Sequence, residues 1–254
     1  MNENKSLKKI AEYYDKRAKV NDSIKAAGQW GSKELVPEIC TEICNKIKIK
    51  KQDKVLELGC GSGVLGNVVR DLCALYTGID ISNAMLKKFE KDSKGDKINL
   101  FQSISSAIPF KDNFFEIIIM NSVTMYLSHQ ELEKTLLEIK RISSKNATIF
   151  IGDNVTPLGF YWELSWFQNL NAIGQLIAKP YIRFRKWLAN NDSKLAGKWK
   201  NLHKEVSPDF IKNNFEDIGQ VYVSKSAASE IKEKKLERNV TSKRMDFVIK
   251  IGSV

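Results

Sequence analysis

The chain is poor in the residues that hold metals. It has two histidines, His129 and His203, and four cysteines, Cys40, Cys44, Cys60 and Cys73. No Cys-x-x-Cys pair occurs and neither histidine lies near a cysteine in sequence, so no zinc centre or other metal is expected. Cys40 and Cys44 stand four apart on an expected helix, a poor geometry for a disulfide, and a reduced, cytoplasmic setting is favoured. No apolar run approaches the roughly 18 residues of a spanning helix. Met1 to Lys5 lead into a polar segment without an apolar core, so no secretory signal is expected. The Gly-x4-Gly-Lys-Ser/Thr pattern is missing too, which excludes a P-loop.

What is present describes a globular chain of one elaborated domain: 254 residues, 43% hydrophobic and 28% charged. The 41 Lys and Arg against 30 Asp and Glu leave a net charge of +11. That excess implies either an acidic partner (nucleic acid, an anionic membrane surface, an anionic substrate) or a lysine-rich background.

One stretch carries most of the chemistry. Val55-Leu56-Glu57-Leu58 reads as a buried strand running into Gly59-Cys60-Gly61-Ser62-Gly63, a turn that opens a helix. Glycines there let a ligand approach the backbone, because no Cβ intervenes. Cys60 sits within that turn, where a small residue is needed. The next strand, Leu75 to Asp80, ends on an acid placed to accept hydrogen bonds from a ribose. Gly61, Gly63 and Gly66 fit a dinucleotide fingerprint only formally. Glu57 decides against it: a carboxylate two residues before the first glycine repels a pyrophosphate but suits an ammonium. S-adenosylmethionine (SAM) has both the cationic amine and the ribose.

On Glu57 to Gly63, Gly78-Ile79-Asp80-Ile81-Ser82 and Ile108-Pro109-Phe110, the chain resembles the class I SAM-dependent methyltransferases, nearest their small-molecule branch, over about residues 53 to 153. The resemblance implies that Gly59, Gly61 and Gly63 line the methionyl portion. It also implies that Asp80 holds the ribose hydroxyls, with Ile81 and Met85 against the adenine. The product would be S-adenosylhomocysteine. Many relatives carry an acid five residues before the Pro-Phe pair, which receives the adenine amino group. Ile104 occupies that position here, leaving Ser103, Ser105, Gln102 or backbone carbonyls as acceptors.

The alternation of strands and helices implies an α/β fold with a doubly wound, mostly parallel sheet. The resemblance extends it to the seven-stranded, Rossmann-like methyltransferase fold with an antiparallel last strand. Four regions are expected within a single domain spanning 1 to 254. Residues 1–50 form an N-terminal helical lid, with helices at 5–19 and 33–48 around a loop at 21–32. Residues 51–153 form the SAM-binding core, with a helix from 64 to 72 and strands at 97–102, 114–120 and 147–152. Residues 154–207 form a helical aromatic and basic lid insertion. Residues 208–254 complete the sheet. Asn121 and Asp153 end strands at the ligand-binding edge.

The insertion holds Trp162, Trp166, Trp187 and Trp199. Trp162, Trp166, Leu170, Ile173 and Ile177 make one helical stripe, which either packs on the core as a water-excluding cover or lines an apolar acceptor pocket. Tyr14, Trp30, Trp162 and Trp166 are the acceptor-contact candidates. Residues 181–187 mix Arg, Lys and aromatics, suited to an anionic substrate or membrane surface, so a peripheral membrane location is an option. Nucleic acid is less favoured: the base-methylating Asn-Pro-Pro-aromatic and Pro-Cys motifs are absent.

The sequence therefore points to a methyltransferase acting on an O or N atom of a small-molecule or lipid-like acceptor. An RNA-modifying enzyme and a non-catalytic SAM-binding scaffold are the alternatives. Positioning supplies much of such a reaction; where a base is needed, Asp153, His203 and His129 are the candidates. Asp80→Ala is expected to weaken SAM binding strongly without unfolding the domain, measured by titration calorimetry beside a thermal melt. Wild-type affinity in that variant would remove Asp80 from the site.

Overall fold

A computed structural model describes residues 3–28, 33–93, 98–155, 206–236 and 244–252. Trp30, His203, the stripe from Trp162 and Trp166 onward, and the 181–187 segment lie outside the described residues, as does most of the expected lid insertion.

In chain order the elements are α1 (Glu3–Arg17), α2 (Ser23–Ala27), a 3-10 turn (Lys33–Leu35), α3 (Val36–Ile47), β1 (Lys54–Leu58), α4 (Gly66–Val69), β2 (Leu75–Asp80), α5 (Asn83–Asp92), β3 (Asn99–Gln102), β4 (Phe115–Asn121), a 3-10 turn (Thr124–Tyr126), α6 (His129–Ile142) and β5 (Ser143–Val155). After the undescribed stretch come α7 (Pro208–Phe215), β6 (Gly219–Lys225), α8 (Ala227–Leu236) and β7 (Arg244–Ile251). The strands form one sheet in the order β3-β2-β1-β4-β5-β7-β6. β1 to β5 are mutually parallel, and β7 runs antiparallel to both β5 and β6. The winding reverses between β1 and β4, and the crevice beyond the strand ends at that point is where such sheets bind ligands.

Both faces of the sheet are covered, so its central strands are apolar on both sides. Leu56, Leu58, Ile118, Met120 and Ile149 pack with Leu132, Leu136 and Ile139 of α6 and with Ile211 and Phe215 of α7. Val55, Tyr76, Ile117, Ile119 and Phe150 pack on the other face against Ile39, Ile43 and Ile47 of α3, Phe89 of α5 and Ile231 of α8. Side chains alternate along a strand, which puts Glu57 on the second face beside Tyr76.

Local chemistry explains where the elements stop. Ser82 caps α5 by accepting from the Met85 N–H at 3.1 Å, and Ser128 caps α6 by accepting from the Glu131 N–H at 3.1 Å. Three expected boundaries need correction. The 21–32 stretch is not all loop: Asp22 accepts from the Ile24 and Lys25 N–H groups, and Gly28, at φ 87, closes the short α2. Five residues are too few for periodicity to show. The helix expected at 64–72 shrinks to Gly66–Val69, where Gly66 leaves room that a Cβ would take from the Tyr76 hydroxyl and the Phe89 ring. β5 covers Ser143–Val155 rather than 147–152: α6 passes directly into it, and its end keeps pairing with β7 as far as Arg244, so Asp153 lies within the strand and does not end it.

Leu136 is fully buried between α6 and the sheet. Leu136→Ala is expected to cost about 2–5 kcal/mol of stability, read from the urea midpoint, while ligand affinity at the strand ends stays unchanged.

Candidate active site

The turn after β1 and the tip of β2 are tied to each other. The Gly59 and Cys60 N–H groups both donate to the Ile79 carbonyl, at 2.7 and 3.0 Å. The Gly61 N–H donates to Asp80 Oδ2 at 2.8 Å, and the Ser82 N–H donates to Asp80 Oδ1 at 2.8 Å. One carboxylate therefore fixes the glycine turn and the start of α5 together. Gly61 has φ +53, and a Cβ built on it would meet nothing within 4 Å. Its bare backbone opens onto empty space, a cradle that a side chain would fill. Gly63 serves another purpose: a Cβ there would stand 2.1 Å from the Phe89 ring.

Above this turn lies an open cleft. Its floor is Glu57, Gly59, Cys60 and Gly61, continued by Asp80 and Ile81. Ser103, Ile104 and Ser105 form the wall after β3. Ser122, Val123, Tyr126, Leu127 and Glu131 form the wall after β4. Leu7, Ile10 and Tyr14 of α1 roof it.

The roof is held down by polar contacts. Tyr14 and Tyr126 share a 2.8 Å hydrogen bond between hydroxyls, with their rings edge to face. The Ser82 hydroxyl donates to Asp15 of α1 at 2.6 Å, and the Ser62 hydroxyl donates to the Ser23 carbonyl of α2 at 2.7 Å. Burial and the Tyr126 hydroxyl push the Tyr14 phenol well above its ordinary value.

Among the described residues, the cleft is lined by three carboxylates and no Lys or Arg, although the chain is +11 overall. Glu57 is 4% exposed and accepts from the Tyr76 hydroxyl at 2.5 Å. Burial pushes its carboxyl up to about 8; the Tyr76 hydrogen bond opposes this and the Asp80 charge adds to it. Burial likewise pushes Asp80 up to about 6, against the pull of the two backbone N–H donors. Burial raises the Cys60 thiol well above its usual range, with Asp80 and Glu57 adding to it, so it stays a neutral small group.

The expected site residues separate into two sets. Glu57, Gly59, Cys60, Gly61, Asp80, Ile81, Ser103, Ile104 and Tyr14 line the cleft. Gly63 lies beneath it, and Met85 is fully buried in α5 with its N–H spent on the Ser82 cap. Asn121 and Asp153 line a smaller cavity next door, and among the described residues only Ser122 is common to both. Asp153 Oδ2 accepts from Ser122 Oγ and from Arg244, each at 2.7 Å, which holds it in an ion pair outside the larger cleft. His129 sits on the solvent face of α6, 3.3 Å from Glu133, outside the cleft lining. Ser122, Val123, Tyr126, Leu127 and Glu131 were not expected. They follow β4 without a motif, and Glu131 fits a helix-start pattern that hides any other role.

The donor set fits SAM: a buried carboxylate for a cationic amine, an open glycine backbone, and an acid at the ribose position. Comparison with known proteins agrees. A profile described as "Methyltransferase domain" matches residues 56–151. An uncharacterized protein of Methanocaldococcus jannaschii is 29% identical over 147 residues, 57% of this chain and 60% of that one. The 18S rRNA (guanine-N(7))-methyltransferase of Bos taurus is 34% identical over 89 residues, 35% of this chain and 31% of that one. The chain thus spans well short of the full length of the curated relatives it matches. In fold it is similar to the phosphoethanolamine N-methyltransferase 1 of Haemonchus contortus, solved with phosphoethanolamine and S-adenosylhomocysteine. That likeness has a TM-score of 0.68 at 11% identity and covers 100% of this chain and 51% of that one.

Between the ordinary value of 4.5 and about 8, the folded chain keeps a proton on Glu57 that the unfolded chain releases. This group therefore contributes stability fully at low pH and loses it as pH rises through that window. A cationic amine favours the ionised form. Binding of S-adenosylhomocysteine at pH 7 is thus expected to release a proton, seen by calorimetry in buffers of different ionisation heat, and Glu57→Gln is expected to abolish the release. Net proton uptake would contradict the assignment.

Proposed function

We propose that this chain, whose residues 56–151 carry a methyltransferase domain of the class I SAM-dependent kind, transfers a methyl group to an O or N atom of a small-molecule or lipid-like acceptor. The observation that carries the acceptor class is the lining of the cleft. Leu7, Ile10, Val123 and Leu127 make it apolar, and Tyr14 and Tyr126 give it an aromatic rim with hydroxyls. Such a lining suits a compact organic molecule.

SAM supplies an electrophilic methyl group on a sulfonium. The chain's residues do the rest. Glu57 takes the cationic amine and Asp80 the ribose hydroxyls, while the open backbone at Gly61 accommodates the chain between them. The α1 roof, latched by Tyr14 to Tyr126 and by Asp15 to Ser82, keeps water from the cleft and holds the acceptor in place. Alignment of this kind supplies most of the acceleration for a transfer whose electrophile is already activated. Trp162 and Trp166 as acceptor contacts and the basic 181–187 segment as an anion contact enter this proposal by residue type alone.

The four cysteines, all free thiols, support a cytoplasmic setting. Among the described residues no helix is long and apolar enough to cross a membrane. The RNA reading draws on the Bos taurus relative and on net charge. The cleft lining argues against it, because nucleic-acid binding rests on Lys and Arg neutralising phosphates and none of the described lining residues is basic. The scaffold reading is opposed by the complete set of Glu57, glycine turn and Asp80.

Incubation of the protein with methyl-labelled SAM and a host extract separated into small-molecule, lipid and RNA fractions tests the proposal. Label is expected in the small-molecule or lipid fraction. Label confined to RNA would establish the alternative, and no transfer despite firm SAM binding would favour the scaffold.

A further inference from the structure

We infer that Glu131, at the start of α6, reads the amino edge of the cofactor's base in place of the acid missing at position 104. This rests on the SAM reading above.

The cleft has a direction. Glu57 and the glycine turn mark its amino-acid end at β1, and Asp80 marks the ribose on β2. β3 is the next strand outward, so the base extends toward the loop that follows β3. An adenine presents an exocyclic amine there, which needs an acceptor. The loop's own side chains offer only neutral acceptors, weaker than a carboxylate, and each is already tied to another group. The Gln102 amide donates to the Ile81 carbonyl at 3.2 Å. Ser103 Oγ donates to the Ala107 carbonyl at 2.7 Å. Ser105 Oγ pairs with Thr135 Oγ1 at 2.9 Å. Ile104 carries no polar atom on its side chain.

Glu131 reaches the same wall from the opposite side. It is 7% exposed, lines the cleft, and its Oε2 accepts from Ser106 Oγ at 2.9 Å. That bond places the carboxylate against the β3 loop, at the base end of the cleft rather than the methionyl end. Among the described residues no protein donor serves Oε1, which is not sealed off and so stays open to a donor from a ligand in the cleft. The amine of the base supplies the donor. The helix does not need this side chain for its own start, since the Ser128 cap uses the Glu131 backbone N–H.

The test is calorimetric binding of S-adenosylhomocysteine and of S-inosylhomocysteine, in which a carbonyl replaces the amine. Wild-type protein is expected to prefer the amine form about tenfold or more, because in the other ligand a carbonyl oxygen replaces the donor and faces the carboxylate. Glu131→Ala is expected to bind the amine form about tenfold more weakly and to lose most of that preference. Glu131→Gln, whose amide can turn either end to the ligand, is expected to recover affinity for the carbonyl form. An Ala variant that keeps the wild-type preference overturns the inference, as does one that weakens for both ligands equally. If wild-type protein binds neither ligand, the cofactor reading itself falls.

Discussion

Asp80 holds the site together. Its two oxygens accept from Gly61 N–H and Ser82 N–H, so one side chain joins the turn after β1 to the helix start after β2. The turn cannot then drift from the strand tip, and the empty space over Gly61 keeps its shape before any ligand arrives. The same bonds offset much of the cost of burying the carboxylate. Because Ser82 also bonds Asp15, the α1 roof hangs from the same point. Floor, helix and cover thus form one connected unit.

A second constraint is electrostatic. The chain is strongly basic, yet the described walls of its cleft carry Glu57, Asp80 and Glu131 with no basic partner among them. Buried acids without cations are expensive, and burial holds two of them as weak acids, near 8 and near 6. A ligand bearing one amine cation, two ribose hydroxyls and an aromatic amine meets each acid in turn. The neighbouring acids are settled internally instead: Asp153 pairs with Arg244, and Asp246 pairs with Lys46 at 3.0 Å.

Legibility followed contiguity. Glu57, the glycine turn and Asp80 lie within short runs whose strand and turn chemistry is local, and the sheet's alternation is local in the same way. Tyr126, Ser122 and Glu131 come from separate elements and meet the cleft only through the crossover from β4 to α6. No spacing rule announces them. Asn121 ends β4, whereas Asp153 lies inside β5, which runs on to Val155, and the side chains of both serve the adjoining cavity. Asp153, at φ 57, is captured by Arg244, which lies 91 residues away. His129 had a suggestive residue type and only a surface position.

The most direct test of this account is a crystal structure of the protein with S-adenosylhomocysteine. The account predicts the ligand's amine at Glu57, its ribose hydroxyls on Asp80, and the Gly61 turn in the conformation described above. A ligand lodged elsewhere, or one that binds only after Asp80 turns away from Gly61, would contradict it.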